Sequence, residues 1–239
     1  MESLALPEHV QRLAARERFA FHCHSGVSCF TECCRELELA LSPYDVLRLK
    51  NNLALSSQEF LERHAVIEFT PEDRYPRVYL GMVDDGRASC PFVARQGCLV
   101  YPDRPGACRA YPLGRGVQTG DNGRIAEFFV LLREPHCQGF TGELGQTAEE
   151  WRHAQGLEPY NQFSDDWLQT LGERKLKEKE AETFILALYN LDALRGLLAA
   201  KAPEIAGFPE GLTPLEPKKC DEELLALSLN WLSHELSYS

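Results

Sequence analysis

The spacing of apolar residues changes character along the chain near residue 140. Before that point the apolar runs are short and interrupted by Pro, Gly and Cys. Glu36–Leu41 alternates polar and apolar residues, and Val78–Val83 and Ala88–Cys90 are rich in strand formers flanking Asp84-Asp85-Gly86. This pattern predicts a strand over 36–41 and a hairpin over 78–90, because side chains of a strand alternate between two faces and Asp-Gly turns suit tight reversals. Glu127–Leu132 predicts a further strand. Val10, Leu13, Ala14 and Phe19 repeat at helical spacing and predict an N-terminal amphipathic helix. Ser42-Pro43 supplies an N-cap and a first-turn proline for a helix over 44–51, and Ser56-Ser57 opens a second over 56–64.

Beyond residue 140 a helical period takes over. Helices are predicted from Ser164 to about Lys177, over 180–200 with Phe184, Leu188, Leu191, Leu194 and Leu198 on one face, and over 221–236 with Leu224, Leu227 and Trp231. Pro209–Lys219, with three prolines, reads as a linker. The fold class expected is α+β, a small cysteine-rich part with short strands over 1–140 and a mainly helical part over 141–239 packed on it. Gly114-Arg115-Gly116 lacks the strand-then-helix context of a nucleotide fingerprint and is expected to be a flexible loop.

Composition narrows the function. The chain of 239 residues is 44% hydrophobic and 26% charged, an ordinary globular balance. Its net charge of −11 argues against a nucleic-acid partner, whose phosphates need a basic surface. The run Arg174–Lys179 reads as a solvated helix face. No apolar stretch is long enough for a membrane span, and the charged N-terminal residues do not read as a signal peptide, so no membrane partner and a cytoplasmic location are expected. Cytosolic thiols stay reduced, which turns attention to the cysteines.

The chain has nine cysteines, and Cys23, Cys29, Cys33 and Cys34 crowd into one short segment. Cys90, Cys98 and Cys108 follow in CPFVARQGCLVYPDRPGACRAYP. Such clustering points to a thiolate-bound metal rather than to core packing. On a helix Cys29 and Cys33 would share a face while Cys34 points about 100° away. The adjacent pair therefore either bends to serve one ion or serves two sites. The paired C-x2-C knuckles of zinc ribbons and the C-x3-C-x2-C run of radical SAM enzymes are both absent. His22 and His24 flank Cys23, and His136 precedes Cys137, as candidate nitrogen donors. Arg35 and Arg109, each beside a cysteine, and Arg104 are candidate electrostatic partners of an anionic cluster.

The segments FHCHSGVSCFTECCRELELALSPYDVLRLK and CPFVARQGCLVYPDRPGACRAYPLG resemble the YkgJ-type cysteine-cluster family, described by a CxxCxxCC-like motif that chelates zinc or iron. The likeness is specific at Cys90-Pro91-Phe92, Cys98-Leu99-Val100-Tyr101, Arg104-Pro105 and Cys108-Arg109-Ala110-Tyr111-Pro112, and looser over the first four cysteines. Their C-x5-C-x3-C-C spacing is similar to the cysteine-rich region of flagellin lysine N-methylases. The resemblance implies Cys23, Cys29, Cys33, Cys34, Cys90, Cys98 and Cys108 as metal-site residues, with Cys137 as an eighth and Cys220 a bystander. It implies an iron–sulfur cluster, preferred here because the thiols outnumber one zinc site, or zinc, in redox or metal handling. The alternatives are a SAM-dependent protein lysine methyltransferase acting on a protein substrate, and a structural zinc protein with a partner-binding surface. No catalytic residue is assignable.

Overall fold

The protein is described by a computed structural model covering residues 6–14, 16–119, 125–142, 145–171, 174–201, 208 and 217–237. The fold is α+β. Three small antiparallel sheets and two 3-10 turns occupy the cysteine-bearing part, together with helices α1 (Pro43–Asn52), α2 (Ser57–His64) and α3 (Gly106–Ala110). Helices α4 (Ala148–Ala154), α5 (Glu158–Leu171), α6 (Glu178–Leu188), α7 (Leu191–Ala200) and α8 (Pro217–Ser237) follow.

Helices α1 and α2 start where expected, each on a capping box. Asp45 N–H donates to Ser42 Oγ at 3.1 Å while Ser42 N–H donates to Asp45 Oδ2 at 2.7 Å. Ser56 and Glu59 repeat the exchange at 3.2 and 3.0 Å. Each box satisfies donors that a helix N-terminus otherwise leaves unpaired.

The N-terminal segment is not a helix. Val10–Leu13 forms β1, paired with β7 (Ile125–Leu132) in register Val10↔Leu132 to Leu13↔Phe129, and β6 (Leu113–Thr119) lies on the other side of β7. A short helix gains little by itself, whereas the open edge of β7 offers a full ladder of partners. Nor is 114–116 a loop: it lies within β6, where a Cβ on Gly116 would come 2.2 Å from the Phe128 ring. On the opposite face of the sheet Arg115 makes two 2.8 Å hydrogen bonds to the Asp165 carboxylate. Beneath the sheet Leu13, Phe19, Leu113, Leu131 and Ala148 form a small core.

The 78–90 region departs in part from a hairpin. β3 (Arg77–Leu80) pairs with β2 (Ala65–Glu68), a strand missed in the sequence because it follows α2 with no turn residue between. Residues 39–41 run along the other side of β3 through Leu41 N–H to Val78 O at 2.7 Å and Leu80 N–H to Leu39 O at 2.9 Å, but 36–41 forms only an isolated bridge. The reversal at 84–86 exists, with Val83 N–H on Ser89 O at 2.8 Å, again as a single bridge.

In the helical part α5 begins at Glu158, earlier than Ser164. The helix expected over 180–200 is broken: α6 and α7 meet at a 94° bend. Asn190 caps α7 by accepting from Ala193 N–H, and the buried Tyr189 hydroxyl donates to Leu41 O at 3.0 Å, so two polar groups find partners that a continuous helix would deny them. The basic run is no helix face either, since Arg174–Lys177 precede α6 and Leu176 is buried with its N–H on Arg74 O. Residues 209–216 of the expected linker lie outside the described residues, and 217–219 already belong to α8.

One hydrophobic cluster runs from Leu39 and Leu49 on the cysteine-bearing side to Phe184, Leu194 and Leu232 on the helical side. It contains a buried ion network: Lys50 Nζ sits 2.9 Å from Asp221 and 3.1 Å from Asp192, and Arg195 lies 2.6 Å from Asp221. Among the described residues no single helix is long and apolar enough to cross a membrane.

Candidate metal centre

The cysteines are delivered by separate backbone devices, each anchored in one of the two cores. Phe92 and Val100 are buried in the main core, and between them β4 (Val93–Ala94) and β5 (Gly97–Cys98) make a two-residue ladder that folds Cys90 towards Cys98. Val93 N–H bonds Cys90 O at 3.1 Å and Leu99 N–H bonds Phe92 O at 2.9 Å. Gly97 sits at φ 118°, where only glycine is at ease, and a Cβ there would come 3.2 Å from the Phe30 ring, so this knuckle lies directly against the first cysteine segment.

That segment turns at Thr31, φ 70°, into a 3-10 turn over Glu32–Cys34 and leaves it extended at Arg35. Cys90 N–H donates to Cys34 O at 2.8 Å and Glu36 N–H to Ala88 O at 3.0 Å, which ties Cys34 to Cys90. Cys108 stands on α3, whose first N–H, from Gly106, donates to the buried carboxylate of Asp45 at 2.7 Å. On the far side His22 N–H bonds Gly139 O at 2.8 Å, and Gln138 N–H donates to Cys29 Sγ at 3.1 Å. These bonds hold Cys137 beside Cys23 and Cys29. Phe21 locks the pairing by packing edge-on against Tyr111, Phe140 and Trp151 at 5.2 to 5.7 Å.

All eight described cysteines are free thiols, and burial and neighbouring thiolates perturb several of them. Burial and then the neighbouring thiolates of Cys33, Cys29 and Cys137 push Cys23 up. Burial pushes Cys90 and Cys98 up as well, and Cys108 further, with Cys90, Asp45, Cys98 and Cys33 adding repulsion at Cys108. Cys33 departs from this pattern. A hydrogen bond from Cys34 stabilises its thiolate and lowers it to about 7 despite burial, while Cys34, as the donor, is driven up. Cys33 stands between the two halves of the constellation, its charge felt at Cys23 on one side and at Cys90, Cys98 and Cys108 on the other. Among the described residues no three Cys, His, Asp or Glu side chains are grouped so that they could hold a metal ion as they stand. The thiols are gathered by the backbone, and their side chains would close on an ion by rotating, as ligands do when binding completes a site.

The flanking groups sort differently from expectation. Arg104, stacked 3.8 Å over Tyr101, is the arginine whose charge offsets part of the burial-driven rise at Cys98. Arg109 instead clamps the turn, bonding Gln155 O at 2.7 Å and Pro102 O and lying 4.9 Å over the Tyr160 ring. Arg35 bonds Ser89 Oγ at 2.5 Å and lines a cleft of about 610 Å³ that opens beside Cys90. His22 and His24 are exposed with rings 4.8 Å apart, and His24 Nδ1 accepts from Gly26 N–H within its own turn. His136 is exposed, and nothing described joins it to the thiols. The side chain of Cys220 lies outside the described residues.

Two contributors escaped the sequence reading. Asp45 is not singled out by the sequence; its second oxygen on Gly106 N–H comes into play once the turn carrying Cys108 lies against α1. Tyr111 buries a hydroxyl without a well-formed hydrogen bond, beside the Cys137 thiol, and burial followed by that neighbour raises its phenol.

The segment that carries these eight cysteines is matched by a known family model. Residues 22–138, just under half of the chain, match the CxxCxxCC family model, described as a "putative zinc- or iron-chelating domain". No curated protein and no solved structure matches the chain, and the likeness to flagellin lysine methylases is not shown by these comparisons. The donor set of the CxxCxxCC domain fits that description. Thiolate sulfur is a preferred ligand of zinc and of iron–sulfur clusters, and every one of the domain's crowded cysteines is unpaired.

Proposed function

We propose that the CxxCxxCC domain holds an iron–sulfur cluster, in preference to zinc, through Cys23, Cys29, Cys33, Cys34, Cys90, Cys98, Cys108 and Cys137, and serves redox or metal handling in the cytoplasm. The observation that carries this reading is the gathering of eight unpaired thiols from separate segments by bonds such as Cys90 N–H to Cys34 O and Gln138 N–H to Cys29 Sγ. Gathering thiolates costs free energy unless a cation neutralises them, and a bound metal does so while releasing their protons. Zinc uses four ligands per ion, so a set twice that size suits a bulkier inorganic core or more than one ion. When bound, an iron–sulfur cluster would supply one-electron chemistry. The chain's own part is to position the thiols and, through Arg104 and Arg35, to place positive charge beside them. The glycines at 114 and 116 lie within a strand, which leaves methyl transfer without a nucleotide-loop geometry to support it.

Anaerobic purification with metal analysis and a visible spectrum tests this directly. A coloured protein carrying iron and acid-labile sulfide is expected. Colourless protein with stoichiometric zinc would overturn the cluster, and protein that takes up neither metal on reconstitution would overturn chelation itself.

A further inference from the structure

We propose that the eight cysteines form two separate four-thiolate centres, Cys23, Cys29, Cys33 and Cys137 in one and Cys34, Cys90, Cys98 and Cys108 in the other, with the Cys33–Cys34 peptide as their junction. The proposal rests on the chelating reading above and specifies how the ligands are shared.

The backbone makes the division. Cys23, Cys29 and Cys137 are joined by the bonds between 22 and 139 and between Gln138 N–H and Cys29 Sγ, and their wall is the aromatic group of Phe21, Tyr111 and Phe140 over the small core. Cys34, Cys90 and Cys98 are joined by the bond from Cys90 N–H to Cys34 O and by the β4–β5 ladder, and Cys90 and Cys98 pack on the main core. Cys108 enters the second group from α3, which Asp45 ties to α1 of the same core. No described backbone hydrogen bond links 137–139 to 90–98. The two groups meet at the 3-10 turn of Glu32–Cys34 and where Gly97 lies against the Phe30 ring. In such a turn successive side chains diverge by about 120°, because the period is about three residues. Adjacent cysteines there can enter two shells, and in the metal-free protein their sulfurs stand within hydrogen-bonding reach at the junction. Counting agrees, since each half then holds the four thiolates that a closed zinc site or a cubane cluster requires.

The test is an anaerobic titration of the reduced, metal-free protein with cobalt(II), followed by its thiolate charge-transfer absorption. Wild-type protein should saturate at about two equivalents per chain, one per four-thiolate site. Cys29→Ser and Cys90→Ser should each fall to about one equivalent, and the pair combined should fall to about zero. Cys33→Ser combined with Cys29→Ser should still bind about one equivalent, whereas Cys33→Ser combined with Cys34→Ser should bind about none. The wild-type count needs no variant to fold, and circular dichroism checks each variant. Saturation at a single equivalent in wild-type protein overturns the division while leaving chelation standing. So does a folded Cys29→Ser that loses all binding. No binding by wild-type protein overturns chelation and the division with it.

Discussion

Asp45→Ala strikes the joint between the first helix and the turn that presents Cys108. The carboxylate accepts Ser42 N–H and Oγ–H on one oxygen, both at 2.7 Å, and Gly106 N–H on the other at 2.7 Å, in a residue that is 5% exposed. Alanine leaves two backbone N–H groups without their acceptor, at about 1–3 kcal/mol each. Against that, burial already pushes the Asp45 carboxyl up, so the ion itself is disfavoured in the fold and its removal returns part of the loss. The net effect works out at about 3 kcal/mol of destabilisation, or a fall in Tm of about 6–12 °C for a chain of this size. Thermal melting of the reduced, metal-free protein measures it, and mass-spectrometric mapping of alkylation should show Cys108 labelled several-fold faster. Asp45→Asn, which keeps one acceptor oxygen, should fall between. A Tm within about 2 °C of wild type, with Cys108 labelling unchanged, would refute the claim that Asp45 is what holds the Cys108 turn.

Lys50→Met should cost about 3 kcal/mol in denaturant unfolding, the low end for a broken buried ion pair, because Arg195 stays at 2.6 Å from the buried Asp221. A loss under about 1 kcal/mol would mean that the network is solvated and adds little. In the metal-free protein iodoacetamide should modify Cys33 ahead of the other described thiols, with a rate midpoint near pH about 7, since the thiolate is the reactive form and falling pH protonates it. Cys34→Ala removes the donor that stabilises that thiolate and should move the midpoint upward; an unchanged midpoint would show that Cys34 is not the cause.

Much of this architecture is written locally. Ser42-Pro43 and Ser56-Ser57 start α1 and α2 because capping is a contact over three residues, and Leu188, Leu191 and Leu194 mark a buried face because the core needs them wherever the helices lie. The cysteines too are legible as a chelating set, since clustering of a rare residue survives any folding. What was misread is decided by distant partners. Val10–Leu13 becomes a strand because β7 presents an open edge far along the chain, and α6 breaks from α7 because Tyr189 finds the carbonyl of Leu41. Arg109, beside a cysteine in the sequence, turns to the backbone of Gln155, while Arg104, bonded to Tyr101 O and the Gln155 side chain, is the one whose charge reaches Cys98. Sequence proximity fixes which residues are close along the chain but not which way they point. The chemistry of the donors is therefore a property of composition and spacing. Which thiol meets which is settled by a few long-range backbone hydrogen bonds, Cys90 to Cys34 and Gln138 to Cys29, that no local pattern encodes.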